Sequence, residues 1–129
     1  MKLDIKELIA KIVGQTEFKT LLWTNTQGAQ TSYSFSADFT QYDELEVTFE
    51  RSGCLYCFRR SVTNGTASFI FPYGNYLVVR ASTISSNNTF SFGNGGFYNG
   101  YNTGSVSYAQ SYAVPYKVYG IRKVGGGSI

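Results

Sequence analysis

Two hydrophobic periods run along the chain. Near its start Ile5, Leu8, Ile9, Ile12 and Val13 recur at the i, i+3, i+4, i+7, i+8 spacing of one helix face, and Lys6, Glu7 and Lys11 fill the other. Glu7 and Lys11 make a favourable i,i+4 pair, and Gly14 is a stop signal. The pattern predicts a short amphipathic helix over 3–13. A helix this short does not hold alone in water. Ile5, Leu8, Ile9 and Ile12 must therefore dock on their own domain or on the same helix of neighbouring subunits. One heptad register puts isoleucine at every core position, which favours three or four strands; the other reads Ile-Leu-Ile and favours two.

From residue 17 the period falls to two. Leu45, Val47 and Phe49 alternate with Glu44, Glu46, Thr48 and Glu50, and Tyr33, Phe35, Ala37 and Phe39 alternate with Ser34, Ser36 and Asp38. Such segments predict strands with one dry and one wet face. Further strands are expected over 18–24, 54–60, 67–71, 76–81, 89–92, 106–112 and 116–123. Turn signals separate them, among them Asn64-Gly65 and the Pro72, Gly74, Asn75 cluster. The stretch 93–104, with five glycines around Phe97, Tyr98 and Tyr101, reads as a surface loop. The expected fold is all-β, an antiparallel β-sandwich of jelly-roll type with one short N-terminal helix. The expected organisation is an assembly helix at 1–14, one sandwich domain at 15–124 and a flexible Gly-rich tail at 125–129.

Composition sharpens this picture. Aromatic residues make up 17% of the 129 positions and charged residues only 15%, the texture of a β-rich extracellular surface rather than of disorder. All eight acids lie within residues 1–50 beside four bases, whereas the remainder carries seven bases and no acid. The bases form no run longer than Arg59-Arg60, and neighbours on a strand face opposite ways, so no nucleic-acid patch is expected. No apolar run reaches the roughly 18 residues of a membrane span. Asp4, Lys6, Glu7 and Lys11 interrupt any signal-peptide core, so exit from a cell is expected through lysis.

The chemistry is sparse. Without histidine the chain has no Ser-His-Asp or Cys-His machinery, and its two cysteines cannot complete a structural zinc site, so neither metal nor cofactor is expected. Cys54 and Cys57, three apart on a predicted strand, point to opposite faces and read as two ordinary thiols. Glu44, Glu46 and Glu50 form either a carboxylate row that grips a ligand or a solvated strand face that resists aggregation. Asp38 and Asp43 flank a turn, where Asp bonds local backbone. The positive signal is the aromatic-Asn-Gly stretch. Asn87, Asn94, Phe97, Tyr98, Asn99, Tyr101 and Asn102 combine rigid ring faces with adaptable hydrogen bonds, as binding loops do. The competing reading packs these aromatics into the end of the domain or a subunit interface.

The ending Val114-Pro115-Tyr116-Lys117-Val118-Tyr119-Gly120-Ile121-Arg122-Lys123 resembles the close of short tail proteins from phages and prophages of gut bacteria. Tyr42-Asp43-Glu44-Leu45-Glu46-Val47-Thr48-Phe49 is similar to their Tyr-Asp-then-strand segment, and Leu3–Lys11 to their leader helix. The resemblance implies a virion tail component without enzymatic activity, a homotrimer among other tail proteins, with sandwich heads like those of phage receptor-binding proteins. Such heads would bind a host cell-surface saccharide. A purely structural tail or baseplate role, a free lectin and a polysaccharide-degrading glycosidase are the alternatives. Light scattering after size exclusion is expected to give three times the chain mass; a stable monomer would instead place the N-terminal helix on its own domain.

Overall fold

The computed structural model describes residues 4–6, 16–51, 54–86, 88–99 and 102–124. Alternation dictates the architecture. Leu45, Val47 and Phe49 are fully buried in β3 (Glu44–Arg51), and Phe69 and Phe71 are buried in β5 (Gly65–Tyr73). Around them run β1 (Thr16–Thr24), β2 (Tyr33–Ser36), β4 (Cys54–Ser61), β6 (Tyr76–Ile84), β7 (Thr89–Asn99), β8 (Asn102–Tyr108) and β9 (Pro115–Val124). All described pairings are antiparallel. One sheet has the order β1-β9-β3-β4; the other has β2-β7-β6-β5, with β8 also pairing β7. The all-β expectation therefore holds. Of the expected helix, only Asp4–Lys6 falls within the described residues: Ile5 and Lys6 are helical and Ile5 is exposed. Leu8, Ile9 and Ile12 lie outside them, as does the tail 125–129.

Both sheets contribute to one hydrophobic core. Phe49 of β3 is its hub, with ring centroids 5.6 Å from Phe69 and Phe71 of β5 and 6.2 Å from Phe92 of β7. Offset and edge-on aromatic contacts of this kind add about 0.5–1.5 kcal/mol each beyond burial. The hairpin β5–β6 turns through Gly74-Asn75, with Gly74 at φ +59°, the placement a II′ turn demands.

Two expected strands end early. The run 32–40 is a strand only to Ser36, because Asp38 caps a 3₁₀ turn over Phe39–Gln41, its Oδ1 accepting from the Thr40 N–H. The run 106–112 stops at Tyr108 and passes into a second 3₁₀ turn over Gln110–Tyr112. A third expectation is overturned outright. The 93–104 loop is mostly strand, since β7 runs on to Asn99 and β8 begins at Asn102. Among its glycines, Gly95 serves a close approach rather than a loop.

Gly95 shows why. A Cβ there would lie 2.7 Å from Nη1 of Arg80. That guanidinium cannot swing aside. It is fully buried, and its Nη atoms donate to the carbonyl oxygens of Gln30 (2.7 Å), Thr31 (3.0 Å) and Ala113 (3.2 Å) and to Gln110 Oε1 (3.1 Å). Gly120 is similar, because a Cβ would meet the Tyr42 ring at 2.5 Å. At Gly93 the nearest neighbour, Ala81 Cβ, is 3.6 Å away. Gly95→Ala is expected to lower stability by roughly 1–3 kcal/mol through overpacking. Gly93→Ala should stay within about 0.5 kcal/mol of the parent. Thermal melts of the two variants check the contrast.

Candidate functional site

The β7–β8 hairpin carries most of the predicted binding residues, but it does not present them together. Phe97 turns inward, its ring 4.8 Å from Tyr76 and 4.5 Å from Tyr112. It is a packing residue. Tyr98 points the other way and is 40% exposed. Asn94 is exposed, and its Oδ1 accepts from Gln110 Nε2 at 3.5 Å. Asn99 and Asn102 face each other in register across the hairpin, their side chains outside the described residues. Tyr101 and Asn87 also lie outside them. Asn87 falls in the connection between β6 and β7, at the opposite end of β7 from the hairpin tip.

Tyr98 belongs to a larger surface that the pattern analysis missed. Strand register lines up Ile70, Val79, Gly96 and Tyr108 in one row across β5, β6, β7 and β8. Pro72, Leu77 and Tyr98 form the next row. Ile70 is 55% exposed, Leu77 50% and Tyr108 69%, and neither row contains a charge. Apolar outward positions clustered like this mark interaction surfaces. A signal was present, because Phe69–Tyr73 is apolar at every position. Such a strand must present apolar groups on both faces.

The outward face of the other sheet is the reverse. Arg59 forms a fork on Glu17, with bonds of 2.6 and 2.7 Å. Lys19 meets Glu46 at 2.6 Å and Lys123 meets Glu44 at 2.6 Å. Arg59 also lies 3.8 Å from both Glu44 and Glu46. The Glu44/Glu46 row is thus matched by cations from β1, β4 and β9 rather than left open for a ligand. Arg60, next in sequence to Arg59, is buried and donates to the carbonyls of Ser61, Thr63, Gly65 and Ser82. The two arginines make no common patch.

Asp38 and Asp43 hold local structure, and Glu50 is exposed. Asp38 accepts from the Thr40 hydroxyl (2.5 Å) and Gln41 Nε2 (3.2 Å), and these donors, the Thr40 hydroxyl foremost, hold its carboxyl below the ordinary range. Asp43 Oδ2 accepts from the Lys123 N–H at 2.7 Å, and its own N–H donates to Ile121 O at 2.8 Å. Tyr42-Asp43 and Gly120–Lys123 therefore grip one another. Cys57 is a free, exposed thiol.

Two of the surface hollows bear on ligand binding. One, of about 370 Å³, lies by the β1–β2 connection and is lined by Trp23, Tyr33 and neutral hydroxyl and amide side chains. The other, of about 560 Å³, is lined by Lys6, Phe18, Tyr42 and Arg122 among others. Comparison of the chain with protein-family models, curated proteins and solved structures finds no match.

The ion-pair face sets a pH dependence. The hydrogen bond from Arg59 holds the Glu17 carboxyl below its ordinary value. Hydrogen bonds to Glu46 and Glu44 hold Lys19 and Lys123 above theirs. A depressed carboxylate stabilises above its unfolded value near ~4.3, and that contribution is lost as pH falls through the folded value. A raised lysine stabilises below its unfolded value near ~10.4, and its contribution is lost as pH rises through the folded value. The face contributes fully between about pH 5 and about pH 10. Arg59→Ala is expected to lower the urea midpoint slightly near neutral pH. The difference should vanish in strong acid or in about 1 M salt, because the pairs are solvent-screened.

Proposed function

We propose that the chain is a bacteriophage tail-tip or tail-fibre component that binds a host cell-surface saccharide. In this reading the two sheets form a β-sandwich of jelly-roll type, and the N-terminal segment assembles three copies within the virion tail. The observation that carries it is the uncharged outward face of the β2-β7-β6-β5 sheet and its β8 hairpin, with Tyr98 and Tyr108 exposed beside hydroxyl-bearing positions. Tyrosine offers a rigid ring and a polar tip at low entropic cost, which suits contact with sugars and other mixed surfaces. Three weak sites on one trimer gain avidity without new contacts. Among the described residues no helix is long and apolar enough to cross a membrane.

The aliphatic members of the same face, Ile70 and Leu77, favour a second reading, a structural tail or baseplate part whose apolar rows are covered by a neighbour. The two readings separate on adhesion. Tyr98→Ala is expected to fold with an unchanged melting temperature, because its ring is solvent-exposed, and to reduce adhesion to gut-bacterial cells by roughly tenfold. Adhesion absent in the parent protein favours the structural reading, and undiminished adhesion of Tyr98→Ala moves the saccharide contact off Tyr98.

A further inference from the structure

We propose that the hollow beside Trp23 is a saccharide subsite that takes a single neutral pyranose. This deepens the saccharide reading above and rests on it. The hollow lies between the 25–32 connection, β2 and Ser91 of β7. Trp23, the one tryptophan of the chain, lines it while partly exposed. Its indole is fixed, stacked within 9° of parallel on Phe35 at 5.7 Å and edge-on to Tyr33 at 5.6 Å. A fixed aromatic surface suits the C–H-bearing face of a sugar ring, which is the apolar side of an otherwise polar ligand.

The polar lining fits the rest of such a ligand. Thr26, Gln27, Ser32, Ser34 and Ser91 supply four hydroxyls and one amide, with no charge among them. Among the described residues, none of these five side chains spends its polar group on a hydrogen bond within the chain. Hydroxyls and amides both donate and accept, as the hydroxyls of a pyranose do. At about 370 Å³ the hollow sits at the low end of ligand sites, the scale of a terminal residue rather than a long glycan.

The wall is preorganised. The Asn25 side chain donates to Gly28 O (2.9 Å) and to Pro115 O (2.8 Å), and its Oδ1 accepts the Gln27 N–H (2.7 Å). The Tyr33 hydroxyl donates to Gly28 O and accepts the Gln30 N–H. Arg80 holds the Gln30 and Thr31 carbonyls from below. A connection stitched this way has little freedom left to lose on binding, which favours affinity from a small contact. The lining also sets selectivity. A carboxylated or sulfated sugar would find no cation in this hollow, whereas the larger one has Lys6 and Arg122.

Because Trp23 is the only tryptophan, its emission reports on the hollow directly. The test titrates the intact protein with methyl glycosides of glucose, galactose, mannose and N-acetylglucosamine, and with N-acetylneuraminic acid as the anionic probe. Adhesion to gut-bacterial cells, with and without competing glycoside, is measured in parallel. The expected result is a saturable emission change with at least one neutral glycoside and none with the acid. It should weaken at least tenfold in Ser34→Arg, an exposed position where the new side chain fills the hollow, and persist in Tyr98→Ala. Glycoside-competed adhesion that Ser34→Arg leaves intact overturns the subsite while the saccharide reading stands. A response to the acid alone overturns the neutral assignment. Silent emission together with no adhesion removes both the subsite and the reading it rests on.

Discussion

Arg80 is a buried cation with no carboxylate beside it among the described residues, and much of the molecule is arranged around that fact. Burial pushes its guanidinium down from its ordinary value, yet arginine stays protonated in proteins. Taking an ion out of water costs several kcal/mol unless oriented dipoles replace the water. Here the dipoles are main-chain carbonyls at Gln30, Thr31 and Ala113, with Gln110 Oε1 and the Tyr33 ring, whose centroid lies 5.1 Å away. Nε alone has no partner among the described residues. A lysine would bring the charge but not the flat fork that reaches two carbonyl groups on each side. Since those carbonyls come from the β1–β2 and β8–β9 connections, one side chain of β6 ties two irregular segments to the sheet. Arg60 repeats the device at the other end, gathering the carbonyls of the β4–β5 turn, with its guanidinium 5.9 Å from the Phe90 ring centroid.

The second half of the sequence carries seven bases and no acids, and the structure gives four of those bases two distinct employments. Arg59 and Lys123 cross to the acids of the first half and neutralise one sheet's outward face. Arg60 and Arg80 go inward to carbonyls. Little of the sequence's charge asymmetry therefore survives as a surface field around these residues. What survives is a contrast between a face of matched ions and a face with none, so the two sheets present very different outward surfaces.

The dry faces were legible in advance because burial leaves a period-two record, as in Leu45, Val47 and Phe49. The turn at Gly74 was legible because few residues tolerate its backbone. Other features had no such record. Arg80 bonds to carbonyls, which every residue owns, so nothing in the sequence marks Gln30 or Ala113 as its partners. The Trp23 hollow depends on residues from β1, β2 and β7 that only tertiary packing brings together. The 93–104 stretch was misjudged for a related reason. Glycine lowers strand propensity, but Gly95 is needed where β7 passes over the guanidinium, and tertiary context overrides propensity there. The pairing of Glu44 and Glu46 with Lys19, Arg59 and Lys123 likewise follows from strand order, which alternation does not encode.

Gly93 and Asn94 both sit opposite Ala81, a bulge that divides β7 into two registers. Before it, Thr89–Phe92 pairs with β2 and supplies Phe90 and Phe92 to the core. After it, Gly96–Asn99 pairs with β8. The two halves are decoupled in register. Inserting or deleting residue pairs at the hairpin tip lengthens or shortens the hairpin and leaves Phe90, Phe92 and the Gly95–Gln110 contact in register. A lineage under pressure to change what its outer edge touches can therefore rewrite the hairpin's length and composition repeatedly while inheriting the frame beneath it unaltered.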